Sequence, residues 1–139
     1  MVSITSTGVG TTWATSPWAN TETREPPSVT STAVREMLGA DDPPTAIFAS
    51  QNLVTVGAVR ALRALGRSRE IALVGFDDFA LAELVDPPVT VVAQDPRSLG
   101  AAAADLLLRR IAGETGPPQE IVIPTELVVR GSGEIPPPT

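Results

Sequence analysis

Apolar residues recur in the middle of the chain in two alternating patterns, separated by polar or proline-containing turns. Three short runs are almost wholly apolar, as is typical of strands that are covered on both faces of a sheet. These runs are residues 45–49, 71–75 and 89–93. After the first and third runs, apolar residues lie three or four positions apart, as on one face of a helix. The alternation predicts an α/β fold with a mainly parallel sheet and flanking helices.

Capping signals give the ends of the predicted helices. Asn52 is a candidate N-cap for the helix after the first strand, which Gly66 ends. Asp95 followed by Pro96 is a strong start for the helix after the third strand. The predicted helices are residues 33–39, 52–65 and 97–112, with a short helical piece after Asp78 and two final strands at 120–123 and 126–130. The helix over 97–112 carries an apolar stripe of Leu99, Ala103, Leu106, Leu107 and Ile111.

The two ends of the chain lack these patterns. Residues 1–31 are rich in serine and threonine, poor in charge, and show neither a helical nor a strand period. We therefore expect them to be disordered and assign them no fold. The end of the chain, residues 133–139, is a proline-rich tail that we also expect to be unstructured. The predicted folded part is about residues 32–132.

Composition removes many kinds of chemistry. The ten basic residues are all arginine, and the chain has no histidine, cysteine or lysine. A Ser-His-Asp triad, a cysteine nucleophile, an ordinary zinc site and a P-loop are therefore excluded, and we predict no catalytic residues, metal or cofactor. The net charge of -6 argues against nucleic-acid binding through a general basic field. With no signal segment or membrane span in the sequence, we expect a cytoplasmic protein that does not bind membranes.

Polar residues follow each predicted strand, at the edge where ligands bind in parallel α/β sheets. The residues at these positions are Ser50, Gln51 and Asn52, then Phe76, Asp77 and Asp78, and finally Gln94 and Asp95. Amides and carboxylates can exchange hydrogen bonds with ligand hydroxyls, and Phe76 can form an apolar wall against a ring. For Asp95 the N-cap interpretation is favoured. For Asn52 and Gln94 a structural role and a ligand contact both remain open.

The adjacent acids Asp77 and Asp78 suggest a second chemistry, because paired carboxylates at a strand end can hold Mg²⁺ for phosphoryl transfer. Folds that use such acids in this way add a lysine from another strand, and this chain has no lysine. Two acids that begin a turn and cap a short helix are also common. The structural interpretation of this pair is therefore favoured.

Five motifs in series make this chain resemble the C-terminal portion of LacI/GalR-type transcriptional regulators. Their order and spacing match over about residues 32–132. The motifs are PPTAIFASQNLVTVGAVRALRALG (43–66), IALVGFDD (71–78), DPPVTVVAQD (86–95), LGAAAADLLLRRIAGE (99–114) and PTELVVRGS (124–132).

The resemblance implies part of an effector-binding domain with the periplasmic-binding-protein-like (type I) fold. In that family a sugar or another small metabolite, such as a nucleoside, binds between two subdomains, and a homodimer presents helix-turn-helix heads to operator DNA. Asn52 stands where the family usually has an aspartate that binds ligand hydroxyls. Gln94 matches a glutamine at the crossover between subdomains, and Gln51 and Phe76 complete the implied ligand site. The implied dimer interface includes Leu84, Val85 and Val89.

Residues 1–31 match neither the helix-turn-helix head nor the first subdomain of such regulators. We therefore expect a truncated regulator in which the head is absent and the stripe on the helix over 97–112 lacks its partner sheet. Such a chain would be marginally stable, would associate through that helix, or would be completed by another chain. Two other functions stay as alternatives. One is a sugar-binding component of a transport system on the same fold, and the other is a magnesium-dependent enzyme that uses Asp77 and Asp78.

Overall fold

The computed structural model describes residues 2–4 and 29–138, in which five strands form one sheet with the strands in chain order. The prediction of disorder over residues 1–31 lies largely outside the described part of the chain. The elements are β1 (Val2–Ile4), α1 (Val29–Leu38), β2 (Ala46–Ala49), α2 (Asn52–Ala64), β3 (Ala72–Phe76), β4 (Thr90–Ala93), α3 (Pro96–Ile111) and β5 (Glu126–Val128).

The strands β1 to β4 run parallel, and only β5 is antiparallel to its neighbour. Val74 of β3 pairs with Thr90 of β4, and Val91 of β4 pairs with Val128 of β5. Because β2, β3 and β4 are parallel neighbours, their carboxyl ends lie at the same edge of the sheet. The predicted α/β class with a mainly parallel sheet is confirmed.

The core lies between the sheet and the two helices α1 and α2. The apolar residues of α2 at helical spacing, Val54, Ala58, Ala61 and Leu62, are all at most 2% exposed. They belong to one buried cluster with Ile47 of β2, Leu73 of β3 and Val34 of α1. A smaller cluster joins Val89 and Val91 to Ala82 in the loop after β3. These clusters hold α2 and the three central strands in fixed relative positions.

Several predicted boundaries and elements differ from the structure. Residues 120–123 do not form a strand, and Ile121 and Val122 are exposed. The loop after Asp78 contains turns instead of the predicted helical piece. Val2–Ile4 pairs with β2 as a strand, and α1 begins at Val29, although neither was predicted. A strand needs a neighbour to pair with, so the apolar run Ile121–Ile123 alone was not sufficient evidence for one.

The helix α3 follows its predicted course but buries none of its residues. Leu99, Leu107 and Ile111 of the predicted stripe are 50–73% exposed. This exposure agrees with the expectation that the stripe has no partner sheet in this chain. None of the helices in the described part is both long and apolar enough to span a bilayer.

Candidate functional site

The carboxyl ends of β2, β3 and β4 bring together the polar residues that were predicted to contact a ligand. Gln51 and Asn52 follow β2 directly, Phe76 is the last residue of β3, and Gln94 follows β4. Neighbouring strands lie about 4.8 Å apart, so the β2 and β4 ends are separated by roughly 10 Å. Asn52, Phe76 and Gln94 are partly exposed, and Gln51 is exposed. The backbones of all four residues therefore lie at one edge of the sheet.

The start of α2 fixes the first part of this edge. Gln51, in an extended conformation, is the N-cap, and Asn52 is the first helical residue, so the predicted N-cap role of Asn52 is wrong. The Gln51 carbonyl accepts the backbone N–H and the hydroxyl of Thr55, at 2.9 and 3.0 Å. Thr55 is fully buried and packs directly over Gly75 of β3. The absence of a side chain at Gly75 lets α2 approach the sheet closely enough to place Asn52 at its edge.

Asp77 is a further candidate site residue, which is not among the ligand-binding residues predicted from the sequence. Its φ of +68° lies in the left-handed region, where residues other than glycine are strained, aspartate less than most. Its Oδ1 is buried and has no hydrogen-bond partner among the described residues. Strained backbone and an unpaired buried oxygen are both features that cluster at functional sites. The sequence gives no sign of either, because an Asp-Asp pair before a turn is ordinary.

Asp78, by contrast, has the structural role that was predicted for the acid pair. Its two carboxylate oxygens each accept a hydrogen bond of 2.8 Å from the Arg130 guanidinium, and Oδ1 also accepts the N–H of Phe79 at 2.9 Å. The hydrogen bonds from Arg130 hold the pKa of Asp78 below its ordinary value. Among the described residues, no group of three or more acidic side chains is placed to hold a metal ion.

The end of β4 combines a structural residue with a candidate ligand contact. Asp95 caps α3, since its Oδ1 accepts the backbone N–H groups of Arg97 and Ser98 at 3.0 and 3.1 Å. A further hydrogen bond from the Ser98 hydroxyl contributes most to lowering the pKa of Asp95. The N-cap prediction for Asp95 is confirmed. Gln94 comes just before this cap and directly after Ala93, the last residue of β4.

The three residues of the predicted dimer interface differ in their exposure to solvent. Leu84 is 78% exposed, Val85 is partly buried, and Val89 is 1% exposed within the core. Leu84 and Val85 border an open cleft of about 430 Å³ whose other side includes Arg63 and Arg69. Leu84 and Val85 can therefore touch a partner, whereas Val89 supports the surface from beneath. Dimer formation through this surface stays a prediction.

Comparison with known protein families gives the context for this geometry. The family model described as "Periplasmic binding protein-like domain" matches residues 10–133. The match begins before residue 32, where the resemblance in the sequence starts, and it includes every site residue discussed above.

Individual relatives are transcriptional regulators. The regulator CelR of Thermobifida fusca is 43% identical over 103 residues, which are 73% of this chain and 30% of CelR. MalR of Streptomyces coelicolor is 39% identical over 102 residues, 72% of this chain and 29% of MalR. The solved structure of a CelR–cellobiose complex is 43% identical, with a TM-score of 0.67, and the match covers 75% of this chain and 32% of that one.

The chain thus spans about 30% of the length of the regulators that it matches. The family match over residues 10–133 contains β2 to β5 with the loops at the carboxyl edge of the sheet. From the family match, the sequence identities and the common fold, this chain belongs to the periplasmic binding protein-like domain family, in the form that LacI-type transcriptional regulators carry.

Proposed function

We propose that this chain supplies part of the effector-binding domain of a LacI-type transcriptional regulator, with a sugar as its effector. The observation that carries the proposal is the carboxyl edge of the sheet, where Gln51, Asn52, Asp77 and Gln94 lie on three neighbouring strand ends. Sugar hydroxyls both donate and accept hydrogen bonds, so they suit a mixture of amides and a carboxylate. The relative whose structure contains cellobiose supports a sugar of this kind.

Each side chain has a defined role in this proposal. The carboxylate of Asp77, a residue that is partly exposed although its Oδ1 is covered, accepts a hydroxyl hydrogen, which gives the strongest bond because the acceptor is charged. The amides of Asn52 and Gln94 each donate to one hydroxyl oxygen and accept from another. Phe76 presents its ring to the apolar face of the sugar. Gln51, the most exposed of the set, contacts the sugar at its outer edge.

The regulatory activity belongs to the whole protein, of which the chain matches less than a third. We propose that operator DNA is bound by a helix-turn-helix head outside the matched part, since the net charge of -6 is unfavourable for phosphate contacts here. The effector then acts on a homodimer formed through the surface around Leu84 and Val85. A regulator of this kind works beside the chromosome, which places the protein in the cytoplasm.

Isothermal titration calorimetry of the 139-residue chain with cellobiose, glucose and cytidine tests the proposed site. We expect cellobiose to bind and Gln94→Ala to weaken that binding by about tenfold, the effect of losing roughly 1.4 kcal/mol of hydrogen bonding. Gln119→Ala is the matched control, because Gln119 lies in the exposed segment after α3. Absence of binding by all three ligands would contradict the proposal. Binding of cytidine alone would contradict the proposal that the effector is a sugar, but not the proposed location of the site.

A further inference from the structure

Arg130 lies two residues after the end of β5, beside Val89 and Thr90. Its side chain is only 11% exposed. The guanidinium donates to both oxygens of Asp78 at 2.8 Å and to the Val89 carbonyl at 3.2 Å, and it lies 3.4 Å from a carboxylate oxygen of Glu83. A nearly buried arginine that makes a two-pronged contact with a carboxylate is held in one geometry.

The backbone of Arg130 is also fixed. Its N–H and that of Gly131 both donate to the hydroxyl oxygen of Thr90, at 3.0 and 3.2 Å. Thr90 is 1% exposed and is the first residue of β4, a strand with a neighbour on each side. The arginine is therefore a rigid point of attachment between the sheet and the loop that follows β3.

The loop attached in this way begins with Asp77, whose left-handed backbone is strained. On one side, the N–H of Asp77 donates to the Val92 carbonyl of β4 at 3.0 Å. On the other side, Asp78 is bound to Arg130 and accepts the N–H of Phe79. A strained conformation persists only when contacts on both sides hold it in place. Without the Arg130 contact, Asp77 can relax toward an ordinary conformation and its carboxylate turns away from its present position.

We propose that Arg130 is a positioning residue of the effector site, which holds Asp77 in its ligand-binding conformation through the ion pair with Asp78. This inference rests on the proposed function, because it gives Asp77 a ligand to bind. Arg130 itself touches no ligand. Its effect is on the fraction of molecules in which Asp77 is correctly placed, and the apparent dissociation constant rises in inverse proportion to that fraction.

Amide hydrogen exchange measured by NMR on the full chain tests the positioning directly, with no ligand present. In Arg130→Gln we expect the amides of Asp77 and Phe79 to exchange about tenfold faster, while those of α2 keep their wild-type rates. A purely structural role for Arg130 would accelerate exchange in α2 to the same extent. Unchanged exchange at Asp77 would overturn the proposal.

The second variant is Asp78→Asn, which breaks the same ion pair by changing the other partner. The Asp78 side chain is 41% exposed, whereas that of Arg130 is 11% exposed. This variant should reproduce the faster exchange at Asp77 even if Arg130→Gln fails to fold. The matched control is Arg69→Gln, because Arg69 pairs with Asp86 near the other end of the same loop. Faster exchange at Asp77 in this control, as large as in Asp78→Asn, would count against a specific role for Arg130.

Cellobiose titration connects the positioning to binding. We expect Asp78→Asn, Arg130→Gln and the double variant to weaken binding by the same factor, about tenfold, since each breaks the same contact. Additive losses in the double variant would overturn the proposal. If wild-type chain does not bind cellobiose, the proposed sugar fails, and the exchange rate at Asp77 still decides whether Arg130 positions this residue.

Discussion

The hydroxyl of Ser132 donates a hydrogen bond of 2.6 Å to the backbone carbonyl of Leu73, 59 residues earlier in the chain. The same hydroxyl accepts the N–H of Thr90 at 2.9 Å. The Ser132 backbone adds two further bonds, from the Leu73 N–H and to the Pro88 carbonyl. Ser132 is 3% exposed, and it joins β3 to the start of β4 at the amino end of the sheet.

Ser132→Ala should therefore lower the free energy of unfolding by about 1–3 kcal/mol, because it leaves the buried Thr90 N–H without its acceptor. The measurement is a urea denaturation curve. Ser68→Ala, at a partly exposed serine, is the control and should change stability by less than about 0.5 kcal/mol. Equal effects of the two substitutions would show that Ser132 does not join the strands energetically.

Gly75→Ala should disturb the contact that places the start of α2 at the candidate site. The added Cβ would lie 2.7 Å from the Thr55 hydroxyl oxygen and 2.8 Å from its methyl carbon. We expect a loss of about 1–3 kcal/mol in stability, as for other overpacked cores. The helix must also move outward, so cellobiose binding should weaken through the displaced Asn52.

The double variant Gly75→Ala/Thr55→Ala tests this cause, since removing the Thr55 side chain should restore part of the lost stability. Gly100→Ala is the matched control, because a Cβ at this position in α3 meets no atom within 4 Å. It should leave urea stability unchanged or slightly increased, owing to the higher helix propensity of alanine. If Gly75→Ala is as harmless as Gly100→Ala, the close approach is not required.

The regular elements of this fold could be predicted because their signals are local. The apolar runs of β2, β3 and β4 and the Asp95-Pro96 cap each occupy a few consecutive residues, and their bounds are correct to within about one residue. The missed features depend on distant partners. Ser132 lies beyond the last predicted strand, and only its hydrogen bonds with Leu73 and Thr90 show that it is buried.

The candidate site likewise has residues that could be predicted from local sequence and one whose conformation depends on distant partners. Positions at strand ends follow from the topology, so Gln51, Asn52, Phe76 and Gln94 could be named from the sequence. The strained backbone of Asp77 could not, because it depends on Val92 of the next strand and on Arg130, 52 residues after Asp78. The role of Asn52 as a cap was predicted wrongly by one position, which is the usual uncertainty at the end of a helix.

Stability should depend on pH through Asp78. Its pKa in the folded chain lies below the ordinary 3.8, so the stabilisation is present above pH 3.8 and is lost as the pH falls through the folded-state pKa. The stability deficit of Asp78→Asn relative to wild type should therefore be largest near neutral pH and shrink toward about pH 3. Urea midpoints at the two pH values measure it, with Asp41→Asn, at an exposed turn, as control. A deficit that stays constant would contradict the ion pair with Arg130.

The helix α3 should unfold locally and independently of the core, since none of its residues is buried. Its amides should exchange faster than those of α2. Asp95→Ala removes the acceptor for the N–H groups of Arg97 and Ser98, and should weaken the helix. We expect faster exchange within α3 and less helical circular dichroism at an unchanged urea midpoint. A lower midpoint would mean that α3 folds together with the sheet.

Leu84→Asp should separate a proposed homodimer without destabilising the monomer. Leu84 is 78% exposed, so a charge there meets water in the monomer but would lose its hydration in an interface. Sedimentation velocity over a range of concentrations should show wild type as a dimer and Leu84→Asp as a folded monomer. Leu107→Asp, at an equally apolar position of α3 that is 60% exposed, is the matched comparison. If Leu107→Asp abolishes association and Leu84→Asp does not, the chain associates through the exposed stripe of α3, and the surface around Leu84 and Val85 is not its interface.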